Sequence, residues 1–378
     1  MGNDSGEVGD FLATGGDPNS RDVHGQTLLH FAAMYDRRDI VSLLLAHKAD
    51  VNARTDNGST ALDLAAVASN VPLANLLIDA GADVRAAYPS GRTVLHIAAN
   101  AGSAAIVRRL IQKGADPNVR AKNGVSPLDQ AIWQGHRDII ALLIESGARI
   151  NDSNFKTGAT ALNEAAMRGN ALVVQVLLQH NADLGTKDHA GFAPLENAVR
   201  LHRTGIARLL LARNEANGEL AGLLELAVRR GERDMVELLL ARNIDVNARF
   251  QSGSTPLHEA ALKGYDGIIQ LLLAAGANVN GRNSFGGSAL HDAALNNKLS
   301  TVAVLVANGA DVNAQDTESR NTPLYVAASF GRVDIVALLL EKGADPNIVN
   351  REGASPLHAA LVNGYTDIAD KIRARGGR

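Results

Sequence analysis

A short motif that recurs along the whole chain constrains the fold more than any other feature of the sequence. The motif reads Thr, an apolar residue, Leu and a polar residue, followed by small residues, as in TLLHFAA from Thr27. Further copies start at Thr60, Thr93, Ser126, Thr160, Ala193, Gly222, Thr255, Ser288, Thr322 and Ser355. Successive starts are about 33 residues apart, and a fixed period of this length indicates stacked copies of one supersecondary unit. Only the interval from Ala193 to Gly222 is clearly shorter.

The second half of each unit is equally regular. An apolar pair recurs at a fixed distance from the motif start, as Leu44-Leu45 in the first copy and Leu77-Ile78 in the second. A turn of the type Gly-Ala-Asp-Val-Asn follows it, as at 309–313. The Thr or Ser that opens the motif suits a helix N-cap, and the Pro that often comes next suits the first helical turn. Each unit is therefore predicted to form a helix, a tight turn, an antiparallel helix and an extended loop.

This period and the motif TPLHEAA at 255–261 resemble the ankyrin repeat, and the resemblance covers about residues 8–375. It implies an all-α solenoid of stacked helix-turn-helix units with β-hairpin or loop fingers. Eleven full repeats and an N-terminal half-repeat are expected. Stacking supplies the core, because no single repeat can bury its apolar face alone.

Three places depart from the single solenoid that we expect over residues 1–378. Residues 8–22 match only the second half of a repeat, so the chain either starts with a half-repeat or was cut from a longer precursor. Residues 351–378 end in a polar second helix, as expected for a C-terminal capping repeat that faces water. The short interval after Ala193 predicts a shortened loop near 214–221, with a kink or sub-domain break there.

Composition excludes several classes of protein. The chain has no Cys, which excludes disulfides, thiolate metal sites and cysteine nucleophiles. It has no apolar run of about 18 residues and no visible signal peptide. We therefore expect no membrane span and a soluble, cytoplasmic protein, or a periplasmic or secreted one if an upstream signal was removed. The net charge of −3 gives no general argument for binding nucleic acid.

Catalytic motifs are not apparent in the sequence. The segment His258-Glu-Ala-Ala-Leu262 lacks the second His that a zinc peptidase requires. No phosphate-binding loop or nucleophile elbow is present. We therefore predict a non-enzymatic protein that has no cofactor and no metal.

Two recurrent polar residues have structural interpretations. The resemblance implies that the His at the fourth motif position joins a hydrogen-bond network between repeats; these residues are His30, His96, His258, His291 and His358. The Asn residues of the turns match positions that asparaginyl hydroxylases modify in some ankyrin proteins; examples are Asn52, Asn247 and Asn313. We interpret them instead as hydrogen-bonded turn residues.

The resemblance places the partner surface on the concave face, which is formed by the last turn of each first helix and by the fingers. Groove positions lie 7 and 8 positions after each motif start, and none of these 22 positions is acidic. The candidate groove contacts are Met34, Tyr35, Trp133, Met167, Arg168, Arg200, Arg229, Arg230, Lys263 and Phe330. The candidate finger contacts are Tyr88, Phe192 and Phe285.

The basic and aromatic groove residues each have two interpretations. The five basic residues fall in four consecutive repeats and form either a stripe that binds an acidic partner or a set of solvated side chains. Eight of the 13 aromatic residues map to the groove or the fingers, where they contact a partner or pack on neighbouring fingers. These eight are Tyr35, Tyr88, Trp133, Phe155, Phe192, Phe250, Phe285 and Phe330.

We therefore predict a protein-interaction scaffold that is monomeric alone and binds a partner protein in its concave groove. The basic stripe favours an acidic partner surface. An alternative is a dedicated inhibitor or immunity-type protein that blocks one cognate enzyme. Nucleic-acid binding is less well supported, because it requires a basic and aromatic surface that extends beyond five groove charges.

Overall fold

The computed structural model describes residues 5–213, 220–242, 244–250 and 252–378. Those residues form 23 α-helices, together with three isolated β-bridges at the bases of fingers. The predicted all-α solenoid of helix-turn-helix units is confirmed. The chain divides into two compact units, Met1–Asn214 and Glu215–Arg378.

In the first unit, first and second helices of the repeats alternate along the chain. The first helices are α2 (Leu28–Met34), α4 (Ala61–Val67), α6 (Val94–Ala101), α8 (Pro127–Gln134), α10 (Ala161–Arg168) and α12 (Pro194–Arg200). The second helices are α1 (Ser5–Ala13), α3 (Arg38–Ala46), α5 (Val71–Asp79), α7 (Ala104–Gln112), α9 (Arg137–Glu145), α11 (Ala171–Gln179) and α13 (Thr204–Leu211). Within this unit, each first helix from α2 to α10 packs against the first helix of the next repeat.

The second unit has the same alternation. Its first helices are α14 (Leu220–Arg230), α16 (Pro256–Lys263), α18 (Ala289–Leu295), α20 (Pro323–Ser329) and α22 (Pro356–Val362). Its second helices are α15 (Arg233–Leu240), α17 (Asp266–Ala274), α19 (Leu299–Ala307), α21 (Val333–Glu341) and α23 (Thr366–Ala374). First helices again pack on first helices, and second helices on second helices.

The helix boundaries follow from local sequence signals. In α4 the Thr60 backbone N–H donates to the Asp63 carboxylate at 2.9 Å, and the Asp63 N–H donates back to the Thr60 hydroxyl at 3.3 Å. This reciprocal pair satisfies N–H groups that have no partner within the helix. Gly102 ends α6 in the left-handed conformation, with a φ of 86°. The predicted Pro positions are confirmed in the first turns of α8, α12, α16, α20 and α22.

The core consists of small and aliphatic side chains, as the scarcity of aromatic residues predicts. Leu44, Leu77 and Leu110 from successive second helices are completely buried. Ala65 and Ala66 of α4 are also completely buried, and their small side chains allow neighbouring first helices to approach closely. The repeated interface is therefore filled without large rings.

Buried histidines connect consecutive repeats. The Nδ1 atom of His96 accepts the Thr93 backbone N–H at 3.1 Å, so the proton lies on Nε2, which donates to the Val125 carbonyl at 3.0 Å. His30, His258 and His291 make the equivalent bonds. The predicted network is confirmed at these four positions, whereas His358 in the last copy is exposed.

Turn asparagines form a second set of connections between repeats. The Oδ1 atom of Asn52 accepts the Asp83 backbone N–H at 2.7 Å, and its Nδ2 donates to the Gly81 carbonyl at 3.4 Å. Asn247 and Asn313 accept from the following repeat in the same way. The interpretation of these residues as hydrogen-bonded turn residues is confirmed.

The three predicted irregular regions differ in how far the structure describes them. Over residues 8–22, α1 occupies a second-helix position and packs on α3, with Leu12 buried and Phe11 41% exposed. Over residues 351–378, α23 carries exposed charges around the buried Ile372. Most of the predicted loop near 214–221 lies outside the described residues.

Candidate functional site

The groove face, defined as the residues 7 and 8 positions after each motif start, lies at the ends of the first helices. In the first unit Met34 and Tyr35 are 48% and 65% exposed at the end of α2. In the second unit Phe330, which follows α20, is 51% exposed. Ala32 and Ala33, which come just before Met34 in α2, are buried. Large apolar side chains are therefore exposed at positions that the core does not use.

Trp133 is half-buried, which is less exposure than its groove position suggests. The guanidinium of Arg168, from the next repeat, lies 5.4 Å from the centroid of the indole ring and covers part of it. The indole Nε1 is buried and has no hydrogen-bond partner among the described residues. Met167, beside Arg168, is also half-buried. Trp133 and Arg168 therefore form a cation–π pair, and the indole ring is not fully solvated.

The basic groove residues of the first unit are exposed but have partners within the chain. Arg168 Nε donates to the Glu164 carboxylate at 2.7 Å. The guanidinium of Arg200 lies 3.9 Å from the centroid of the Phe192 ring, so this finger residue supports a groove residue. Both positive charges remain on the surface, but neighbouring side chains orient them.

The basic groove residues of the second unit are also combined with carboxylates. Arg229 lies 3.3 Å from Glu225 and 3.5 Å from Glu259, and it connects α14 to α16. Arg230 lies 3.7 Å from Glu232, and Lys263 is exposed at the end of α16. The groove face here carries paired charges rather than uncompensated positive charge.

These carboxylates were not among the predicted site residues. Glu164 and Glu225 each precede a groove arginine by four positions, which places the two side chains on the same face of the helix. The spacing of acidic and basic residues in the sequence could have revealed both pairs. Counting only the groove residues gives this face a larger positive charge than it has, because the neighbouring glutamates are left out.

One further carboxylate, four positions after the motif start Ser288, lies outside the groove positions of the second unit. Asp292 in α18 is half-buried and has a pKa raised to about 7, first by burial and second by the charge of Glu259. A hydrogen bond from Asn283 acts in the opposite direction. Asp292 is therefore partly protonated near neutral pH.

Several finger aromatics pack on the preceding finger. Tyr88 is half-buried beside Gly58, and its hydroxyl donates to Ser59 Oγ at 3.4 Å. Burial raises the pKa of Tyr88 to about 12. Phe155 lies so close to Gly124 that an added Cβ would be 2.7 Å from its ring. These contacts agree with the structural interpretation of the finger aromatics.

The other finger positions differ from one another. Phe285 is 62% exposed and belongs to the surface. Phe250 is only 8% exposed and belongs to the core, so of the two interpretations of the finger aromatics, packing within the chain applies to this residue. A hydrophobic ring at a finger base can turn inward, and sequence position alone does not reveal that.

A depression of about 370 Å³ lies on the groove side of the first unit. Its lining combines Val67 at the end of α4 with Tyr88 from a finger and Ile97 from α6. The remaining lining residues are Ser90, Arg92, Asn100 and Ala101. The space is formed where two repeats and one finger meet.

Neither a metal site nor a membrane span is found within the described ranges. No group of three or more side chains in this part of the chain is arranged to hold a metal ion. Across the helices that the structure describes, none has the length and apolar character needed to cross a membrane.

The family comparison accounts for the repeated architecture. The family model described as ankyrin repeats, in three copies, matches residues 2–88, 85–154, 151–220, 224–316 and 290–376. The chain belongs to the ankyrin-repeat family. Ankyrin repeats are generally protein–protein interaction modules, and the family is typically non-enzymatic.

Curated ankyrin-repeat relatives match short segments of this chain. Neurogenic locus notch homolog protein 1 of Xenopus laevis is 34% identical over 120 residues, which is 30% of this chain and 5% of that protein. The transient receptor potential cation channel subfamily A member 1 homolog of Caenorhabditis elegans is 53% identical over 53 residues, or 14% of this chain and 4% of that protein. An ankyrin repeat-containing protein of Schizosaccharomyces pombe is 38% identical over 60 residues, or 16% of this chain and 29% of that protein. The chain therefore matches less than a third of the length of each.

Proposed function

We propose that this chain is a non-catalytic scaffold that binds a partner protein in its concave groove and on its fingers. The observation that carries the proposal is the exposure of large apolar groove residues that the fold does not use. Tyr35 is 65% exposed and Phe330 is 51% exposed, each at the end of a short helix whose last buried positions are two Ala residues. Grouped exposed apolar side chains are typical of interaction surfaces.

A rigid array suits this function. The side chains on the groove face are carried by short helices that pack on their neighbours, so little conformational entropy is lost on binding. Aromatic residues, Met and Arg are the residue types that contribute most to interface cores, and they occupy nine of the 22 groove positions.

The basic residues support an acidic contact on the partner to a limited extent. Arg168 and Arg229 already contact carboxylates within the chain, so an acidic partner must compete with those glutamates. Their contribution is expected mainly in the rate of association and in its salt dependence. Replacing Arg230 and Lys263 with Gln should therefore lower the association rate several-fold at low salt and flatten its salt dependence.

The proposal is tested by quantitative affinity capture from the source cell with the full chain as bait. A groove variant, Tyr35→Ala with Phe330→Ala, is compared with a control, Leu172→Ala with Leu299→Ala. The control residues are 51% and 41% exposed at the starts of second helices, away from the groove face. We expect partner recovery to fall about tenfold for the groove variant, which corresponds to about 1.4 kcal/mol, and to be unchanged for the control.

The reverse pattern, in which only the control variant loses the partner, would contradict the proposal. Recovery of a single stoichiometric enzyme, whose activity the chain blocks, would favour the inhibitor function over a scaffold.

A further inference from the structure

The groove face of the first three full repeats carries no charged side chain. Its residues are Met34, Tyr35, Val67, Ala68, Asn100 and Ala101. The fourth repeat adds Trp133, and the first charged groove residue along the chain is Arg168 in the fifth. The groove face of the second unit begins instead with Arg229 and Arg230. The first four full repeats and the four that follow them therefore present different chemistry at equivalent positions.

The large apolar residues of this surface, Met34, Tyr35 and Val67, are largely exposed and do not belong to the core. Val67 is 66% exposed at the last residue of α4, where a β-branched side chain gives no advantage in helix propensity. The packing of α4 depends on Ala65 and Ala66, which are completely buried. Exposed apolar area at Val67, Met34 and Tyr35 is thus available to a ligand at no cost to the core.

The depression beside Val67 provides a place for a side chain. Its volume of about 370 Å³ exceeds the space that one large side chain needs. Val67, Ile97 and Ala101 supply apolar walls, whereas Tyr88, Ser90, Asn100 and the exposed Arg92 supply polar groups. A charged side chain buried against the apolar walls would lose hydration, and a basic one would also be repelled by Arg92, so an uncharged side chain is favoured at these walls.

The spacing of the repeats restricts the conformation of the ligand. The helices α2, α4, α6 and α8 pack on one another in sequence, and packed helices lie about 8–10 Å apart. A polyproline-II segment rises about 3.1 Å per residue with three residues per turn, or about 9 Å per turn. Every third side chain of such a segment would therefore face successive repeats.

We infer that the groove face of the first four full repeats binds an uncharged, extended protein segment with a large apolar side chain at every third residue. The inference rests on the proposed function and specifies the chemistry of the partner. Three spacings of about 9 Å require a segment of about ten residues in the polyproline-II conformation. The acidic contact proposed above belongs to the basic groove positions, which begin at Arg168.

The test uses a phage-displayed library of random 16-residue segments, selected against the full chain. We expect enriched segments to lack charge over about ten residues and to repeat a large apolar residue with period three. The dissociation constant of an enriched segment is then measured by fluorescence anisotropy for the wild type, Val67→Lys and the control Leu172→Lys. Val67→Lys should weaken binding at least tenfold, and Leu172→Lys should leave it unchanged. Circular dichroism checks that both variants, which change exposed residues, retain the native helix content.

The outcomes separate this inference from the proposed function. The inference would be overturned if the enriched segments were acidic, bound Val67→Lys as tightly as the wild type, and lost binding to Lys263→Glu. That result would leave the proposed function intact. Segments that bind every groove variant normally and lose binding in Leu172→Lys would count against both. Failure to enrich any segment would also overturn the inference, while the affinity capture would still test the scaffold.

Discussion

At the scale of single residues, four buried histidines each connect their own repeat to the next one, and their protonation state affects stability. Burial lowers the pKa of His96 to about 4, and it also lowers the pKa of His30, His258 and His291. In each case Nδ1 accepts a backbone N–H from the capping residue, so adding a proton there removes a hydrogen bond. The same residues that connect the repeats therefore make the array sensitive to acid.

The sign of the pH effect follows from the lowered pKa. In the unfolded chain His96 binds a proton below about pH 6.5, whereas in the folded chain it stays neutral down to about pH 4. Stability should therefore fall as the pH decreases through this window, by up to about 3 kcal/mol for His96. Urea unfolding at pH 7 and pH 4.5 measures the loss.

The matched variant for this measurement is His96→Asn. In the repeat that contains Asn163, that side chain accepts the Thr160 N–H at 3.1 Å and donates to the Phe192 carbonyl at 3.1 Å, as the histidines do. His96→Asn should preserve both bonds and reduce the loss of stability between pH 7 and pH 4.5. An identical pH dependence in this variant would exclude His96 as a source of the effect.

At the scale of elements, short helices depend on how they begin and end. The helix α6 ends at Gly102, whose φ is 86°, and a Cβ there would lie 2.8 Å from the His136 ring. Gly102→Ala should therefore destabilise the protein by about 1–3 kcal/mol, because Ala is strained at this φ and its methyl group collides with the ring.

Gly205→Ala is the control substitution for Gly102→Ala. Gly205 lies within α13, and a Cβ there would meet nothing within 4 Å. This substitution should stabilise the protein by about 0.5–1 kcal/mol through helix propensity. Thermal unfolding of both variants measures the opposite signs, and equal shifts would contradict the backbone explanation.

At the scale of the whole molecule, stability depends on contacts between neighbouring repeats. Leu272 in α17 is completely buried, and α17 packs on α15 and α19. Leu272→Ala should cost about 2–5 kcal/mol, and the loss should spread first to the adjacent repeats. Hydrogen exchange should show the largest loss of protection in residues 233–307 and a much smaller loss in 28–145. A uniform loss along the chain would contradict nearest-neighbour coupling.

The sequence by itself determined the architecture of this protein. The period of about 33 residues, the capping Thr or Ser and the Leu and Ala positions predict the helices and their order, because each signal is local and recurs in every copy. The turn Asn residues were also assigned correctly, and the role that the ankyrin resemblance implied for the fourth-position His holds at four of the five positions, His358 being exposed. Groove positions could be identified by offset because the motif recurs in every copy.

Only the tertiary structure shows which groove residues are already engaged by other side chains of the chain and which are exposed to a partner. Arg168 lies over Trp133 and contacts Glu164, Arg229 connects two glutamates, and Phe250 turns into the core. These outcomes depend on side-chain orientation between repeats, and a period in the sequence does not specify that orientation. The apolar surface around Val67 likewise becomes visible only when α4, α6 and the finger of Tyr88 are brought together, because its depression belongs to no single repeat.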